Sequence, residues 1–117
     1  MLSAAARLRA ARASLAVDPA AAVAAAYYAA LYAARAALSE REEHVRSHRG
    51  TWHRFRETFV LTGTFDEALY HRVAALQKSR EAADYDAATM EEREAEDLLA
   101  DAERFVEAVA RMLAATS

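Results

Sequence analysis

Hydrophobic residues recur along this chain at helical rather than strand spacing, and the pattern predicts five helices. The first spans about residues 2–15. Asp18-Pro19 opens the second, because a short carboxylate caps free N–H groups and proline fits the first helical position. That helix runs to about residue 40, with Val23, Tyr27, Leu31 and Leu38 on one face and Tyr28, Tyr32 and Arg35 on the adjacent stripe. Residues 41–50 lose the periodicity and end in Gly50, so a charged loop or a frayed helix end is expected there. A short third helix carries Trp52, Phe55, Phe59 and Val60 and stops at Gly63. Thr64-Phe65-Asp66-Glu67 has the spacing of a capping box and should open the fourth helix, which is expected to reach about residue 86. Thr89-Met90-Glu91-Glu92 repeats that device before the fifth. There Leu98, Leu99, Ala102, Phe105, Val106, Val109 and Leu113 form a broad apolar stripe, and acids crowd the first turns, where the helix dipole favours them.

The fourth helix breaks its own pattern. Leu69, Val73 and Leu76 recur at helical spacing, and the next position on that stripe is Arg80. Asp84 follows one turn later on the same side, with Tyr85 beside it. A guanidinium on a core-facing stripe must be neutralised by a partner or face a groove shared between subunits. Such a local inconsistency is where function tends to sit.

At 117 residues the chain is expected to be one domain, residues 1–117. Two glycines, one proline and an alanine content above a quarter point to an all-α protein with short connections. Alanine-rich helices pack closely but bury little area each, so such a bundle gains from dimerisation. The absence of cysteine excludes disulfides and thiolate metal sites, and a cytoplasmic location is expected. The basic, acid-free start of the chain is taken as the first bundle helix rather than a transit peptide. Tyrosines and weakly hydrophobic alanine argue against residues 19–34 crossing a membrane, so no membrane association is expected. A net charge of −3 excludes a general nucleic-acid binder. Its distribution is uneven: residues 44–56 hold Arg46, Arg49, Arg54 and Arg56 with three histidines, whereas residues 81–107 hold eleven acids against two arginines.

Three blocks together resemble the HEPN domain family. Tyr27-Tyr28-Ala29-Ala30-Leu31-Tyr32-Ala33-Ala34-Arg35 looks like its alanine- and aromatic-rich helix. Ser47-His48-Arg49-Gly50-Thr51 followed by Phe59-Val60-Leu61-Thr62-Gly63 looks like its histidine-bearing loop and short helix. Arg80-Glu81-Ala82-Ala83-Asp84-Tyr85-Asp86 looks like its arginine motif. The resemblance implies a five-helix up-and-down bundle, a homodimer, and a two-gene toxin–antitoxin-like module with a small nucleotidyltransferase of the MNT type. Many relatives resemble toxins that cleave RNA without metal, using an arginine and a histidine four to six residues apart in the dimer cleft. Arg80 matches that arginine, but positions 84–87 read Asp84, Tyr85, Asp86, Ala87, with no histidine.

Metal-free RNA cleavage needs a base for the 2′-hydroxyl, an acid for the leaving oxygen and positive charge on the phosphorane. Arg80 can supply the charge. Asp84 would repel phosphate and compete for the arginine, so the missing imidazole would have to come from His48 or His44 in the loop. Arg80 and Asp84 read equally as an i,i+4 ion pair. The expectation is a non-catalytic dimeric module that binds the nucleotidyltransferase and holds nucleotide or RNA on Arg80, Asp84, Tyr85, Tyr28 and Arg35. The alternative is an RNA-cleaving toxin with Arg80 and His48 as catalytic residues. No cofactor is expected, and no metal either: His44 and His48 are four apart beside Glu42 and Glu43, but no third histidine stands at useful spacing. Residues 44–56 mix arginine, histidine, Trp52 and Phe55, as a single-strand RNA surface does; alternatively the two aromatics face the core.

Overall fold

The computed structural model describes residues 2–78 and 90–116. Among these residues the chain forms five helices and no strand. They are α1 (Leu2–Ser14), α2 (Pro19–Ser39), α3 (His48–Phe55), α4 (Glu67–Ala74) and α5 (Glu92–Thr116). The protein is all-α, as its composition requires. A 25-residue helix is about 37 Å long at 1.5 Å per residue, so α5 sets the long axis of a body measuring 41 × 24 × 23 Å.

Helix α2 is the centre. It packs against α1, α3 and α5, and Ala22, Ala26, Ala29, Ala30, Ala33, Ala34 and Ala37 are completely buried along it. Residues with a single methyl let neighbouring backbones approach closely, and they convert a helix that is apolar all round into a core element. By length and composition alone α2 would cross a membrane; in this fold its apolar surface is taken up by the surrounding helices. Its start follows the sequence: Asp18 accepts the Ala21 N–H at 3.1 Å and Pro19 fills the first helical position.

Three local expectations change. First, α3 begins at His48, inside the segment expected to be a loop. Ser47 is its N-cap, accepting the Gly50 N–H at 2.9 Å. Gly50 is therefore part of the first turn and not a terminator. A Cβ there would lie 2.5 Å from Ser47 Oγ and 2.8 Å from Val45 Cγ1. Second, α3 passes directly into a π-helical turn, Arg56–Val60, with the Leu61 N–H bonding Arg56 O at 2.9 Å. Third, the cap of α4 is Asp66, whose carboxylate accepts the Leu69 N–H at 2.8 Å, and not Thr64. Thr64 and Phe65 still belong to the preceding turn: both their N–H groups bond Phe59 O, and Gly63 takes φ +81° to allow it. Phe65 is thereby buried against Phe55 and Phe105.

The stripe of α4 is confirmed at Leu69, Val73 and Leu76, all buried. The helix does not run through unbroken. It turns at Ala75, where the Lys78 N–H takes the Ala75 carbonyl three residues back, and residues 76–78 are helical again.

Candidate functional site

The start of α3 is clamped to α2 by two side-chain sets, and both involve residues singled out from sequence. The first set is aromatic. Tyr27, completely buried on α2, places its hydroxyl 3.2 Å from His48 Nδ1 and 3.2 Å from Trp52 Nε1. The indole N–H can only donate. The Tyr27 oxygen therefore accepts from Trp52 and can pass its own proton toward His48 Nδ1, an order that satisfies all three groups. Tyr28 meets the same imidazole edge-on, with ring centroids 5.8 Å apart. His48 is half-buried at the first position of α3, its ring oriented by a phenol and flanked by a second.

The second set is polar. Arg35 Nη2 donates to the Arg46 carbonyl at 2.6 Å, and its Nε donates to Thr51 Oγ1 at 3.4 Å. Thr51, fully buried, donates in turn to the Ser47 carbonyl at 2.8 Å. Arg35 thus holds the loop that precedes α3, with part of its guanidinium committed to backbone. It also borders a recess with Tyr32, His44 and Arg46. Tyr32 is 39% exposed rather than in the protomer's core, and the Arg7 guanidinium lies 4.6 Å from its ring centroid.

Tyr28 and His48 are therefore brought together, and Arg35 lies along the same helix. Arg80, Asp84 and Tyr85 lie outside the described residues. His44 and His48 separate: His44 is exposed beside Arg35 and Arg46, whereas His48 packs on Tyr27 and Tyr28. Among the described residues no group of three metal-ligating side chains converges. Trp52 and Phe55 face the core, packed edge-on and tilted on Phe105, so they offer no stacking platform for RNA bases. Of the two readings of residues 44–56, the structure shows the one with the aromatics in the core; Arg46, Arg49 and Arg54 are exposed and Arg56 is half-buried. Tyr70 completes the cluster from α4, donating to the Trp52 carbonyl at 3.0 Å. Burial raises its acid range, and the nearby Arg56 charge partly offsets this.

The profile of the HEPN domain family matches residues 1–112. The chain belongs to the HEPN domain family. This HEPN chain keeps the alanine-rich central helix and the histidine-bearing segment beside it that carried the resemblance. No curated protein and no solved structure matches it. Sequence reasoning picked out His48, Tyr28 and Arg35 but missed Thr51 and the partnership of Tyr27 with Trp52. The signal for Tyr27 was available: a tyrosine on the core stripe must find a hydrogen-bond partner. The identity of that partner was not.

Proposed function

We propose that this HEPN chain is the helical member of a two-component module, a dimer that docks a small nucleotidyltransferase and holds nucleotide phosphate on Arg80 without cleaving RNA. Family membership supports the module class. The observation that carries the non-catalytic reading is the use made of His48. With no histidine at positions 84–87, the imidazole would have to come from His48 or His44, and His48 Nδ1 is already joined to the buried Tyr27–Trp52 pair. A histidine bound into the packing between α2 and α3 has a structural job to do.

One feature favours the second reading, metal-independent RNA cleavage. A half-buried imidazole oriented through one nitrogen by a hydroxyl is also how an acid–base group is held. The discriminating experiment incubates the purified chain with end-labelled RNA in EDTA, beside Arg80→Ala and His48→Ala. We expect no cleavage above an inactive control while the chain sediments as a dimer. Metal-independent cleavage that disappears in Arg80→Ala would overturn the docking reading and establish the toxin, with the His48→Ala lane assigning the imidazole.

A further inference from the structure

A second polar recess lies between the α3–π segment and α4. Arg49 and Arg56 are seven residues apart on one wall; His71 and Lys78 are seven apart on the other. Arg49 and Arg56 stand two helical turns apart, and His71 and Lys78 line the recess from either side of the turn at Ala75. Ala74, between the two basic residues of the second wall in sequence, and Tyr70 also line the recess. The recess has a volume of about 470 Å³, and among the described residues no carboxylate lines it.

With a net charge of −3, carboxylates are in surplus, and four other arginines meet them. Arg12 bonds Glu96 at 2.8 Å and Glu103 at 2.6 Å, Arg54 pairs with Glu43, and Arg72 and Arg104 share Asp101. Among the described residues Arg49, Arg56 and Lys78 have no carboxylate partner, and His71 has only an exposed contact with Glu67 at 3.4 Å. Like charges gathered in one concavity repel each other, and an anion would relieve that repulsion. A second observation points the same way. Arg56 Nε is buried with no hydrogen-bond partner among the described residues, a donor that would ordinarily be satisfied. Arg56 is also the first residue of the π-helical turn, a distortion frequent at functional sites.

We infer that this recess binds the terminal phosphate of a small phosphorylated ligand. Two guanidiniums and an ammonium match the multiple charge of a phosphomonoester or diphosphate end, and guanidinium forks suit its oxygens. A phosphodiester backbone presents one charge per group along an open track, and a concave recess with cations on both walls fits it less well. The inference needs neither Arg80 nor a partner protein, so it stands independently of the docking reading.

The test is calorimetric titration of the full chain with inorganic pyrophosphate and, separately, with a short single-stranded RNA lacking terminal phosphates. Both are repeated in Arg56→Gln, Lys78→Gln, Arg80→Ala and the control Arg93→Gln, an exposed arginine on α5. We expect saturable pyrophosphate binding, weakened about tenfold or more in Arg56→Gln and in Lys78→Gln, and retained in Arg93→Gln. Lys78 is exposed, so its variant keeps the test clear of folding defects, and circular dichroism checks each protein. Three results would overturn the inference: no saturable binding of pyrophosphate, binding lost only in Arg80→Ala, or tighter binding of the RNA than of pyrophosphate with the same dependence on Arg56 and Lys78.

Discussion

The phenol oxygen of Tyr27 joins residues 21 and 25 positions away in the chain, His48 and Trp52. Its loss should be felt on both sides of the α2–α3 contact. Tyr27→Phe keeps the ring and its packing but leaves the buried Trp52 N–H without its acceptor. An unsatisfied buried donor costs about 1–3 kcal/mol, and that is the loss of unfolding free energy expected in urea denaturation. Tyr32→Phe, at a ring 39% exposed, should stay within about 0.5 kcal/mol of the parent. Equal effects at the two positions would mean that the Tyr27 hydroxyl carries nothing. Tyr27 was legible as a core residue from its place on the α2 stripe. Its role was not, because alternation and spacing report which way a residue faces and not which distant donor meets it.

At the scale of elements, the helix starts show what a sequence states and what it leaves to packing. Asp18-Pro19 was readable because both halves of the signal act within one turn. Ser47 was missed because the residues after it are basic and lack apolar periodicity, and because Gly50 looks like a breaker. The glycine is there for space: its N–H bonds Ser47 Oγ, and the Ser47 and Val45 side chains occupy the place a Cβ would take. Asp66 was passed over for Thr64 because the two-residue extension of the preceding turn, built on Gly63, is a tertiary choice that buries Phe65. A double-mutant cycle tests the Gly50 account. Ser47→Ala should cost about 1 kcal/mol through the lost cap. Gly50→Ala should also destabilise, by about 1 kcal/mol, although alanine is normally the better helix former. Because part of the Gly50→Ala clash is with Ser47 itself, the double variant should lose less than the sum. Strict additivity, or a stabilising Gly50→Ala, would contradict the steric explanation.

For the molecule as a whole, the decisive feature is a central helix made chiefly of alanine. The fold class was legible from that composition, since so many strong helix formers with so few turn residues leave little else. The recess between α3 and α4 was half legible: the spacing of Arg49 and Arg56 was visible within a basic block, but that His71 and Lys78 stand opposite depends on how two helices pack. The same dependence on packing makes α2 the most sensitive element to added volume. Ala33 is completely buried on a helix enclosed by α1, α3 and α5, so Ala33→Leu must push backbones apart rather than fill a void. Overpacking of this kind costs about 1–3 kcal/mol, whereas Ala21→Leu, on the exposed side of the same helix, should change stability by less than about 0.5 kcal/mol. Denaturant midpoints of the two variants decide the matter. If Ala33→Leu were neutral, the close approach of helices that organises this bundle would not be set by its alanines. The reason for so alanine-rich a central helix would then have to be sought outside the protomer's own packing.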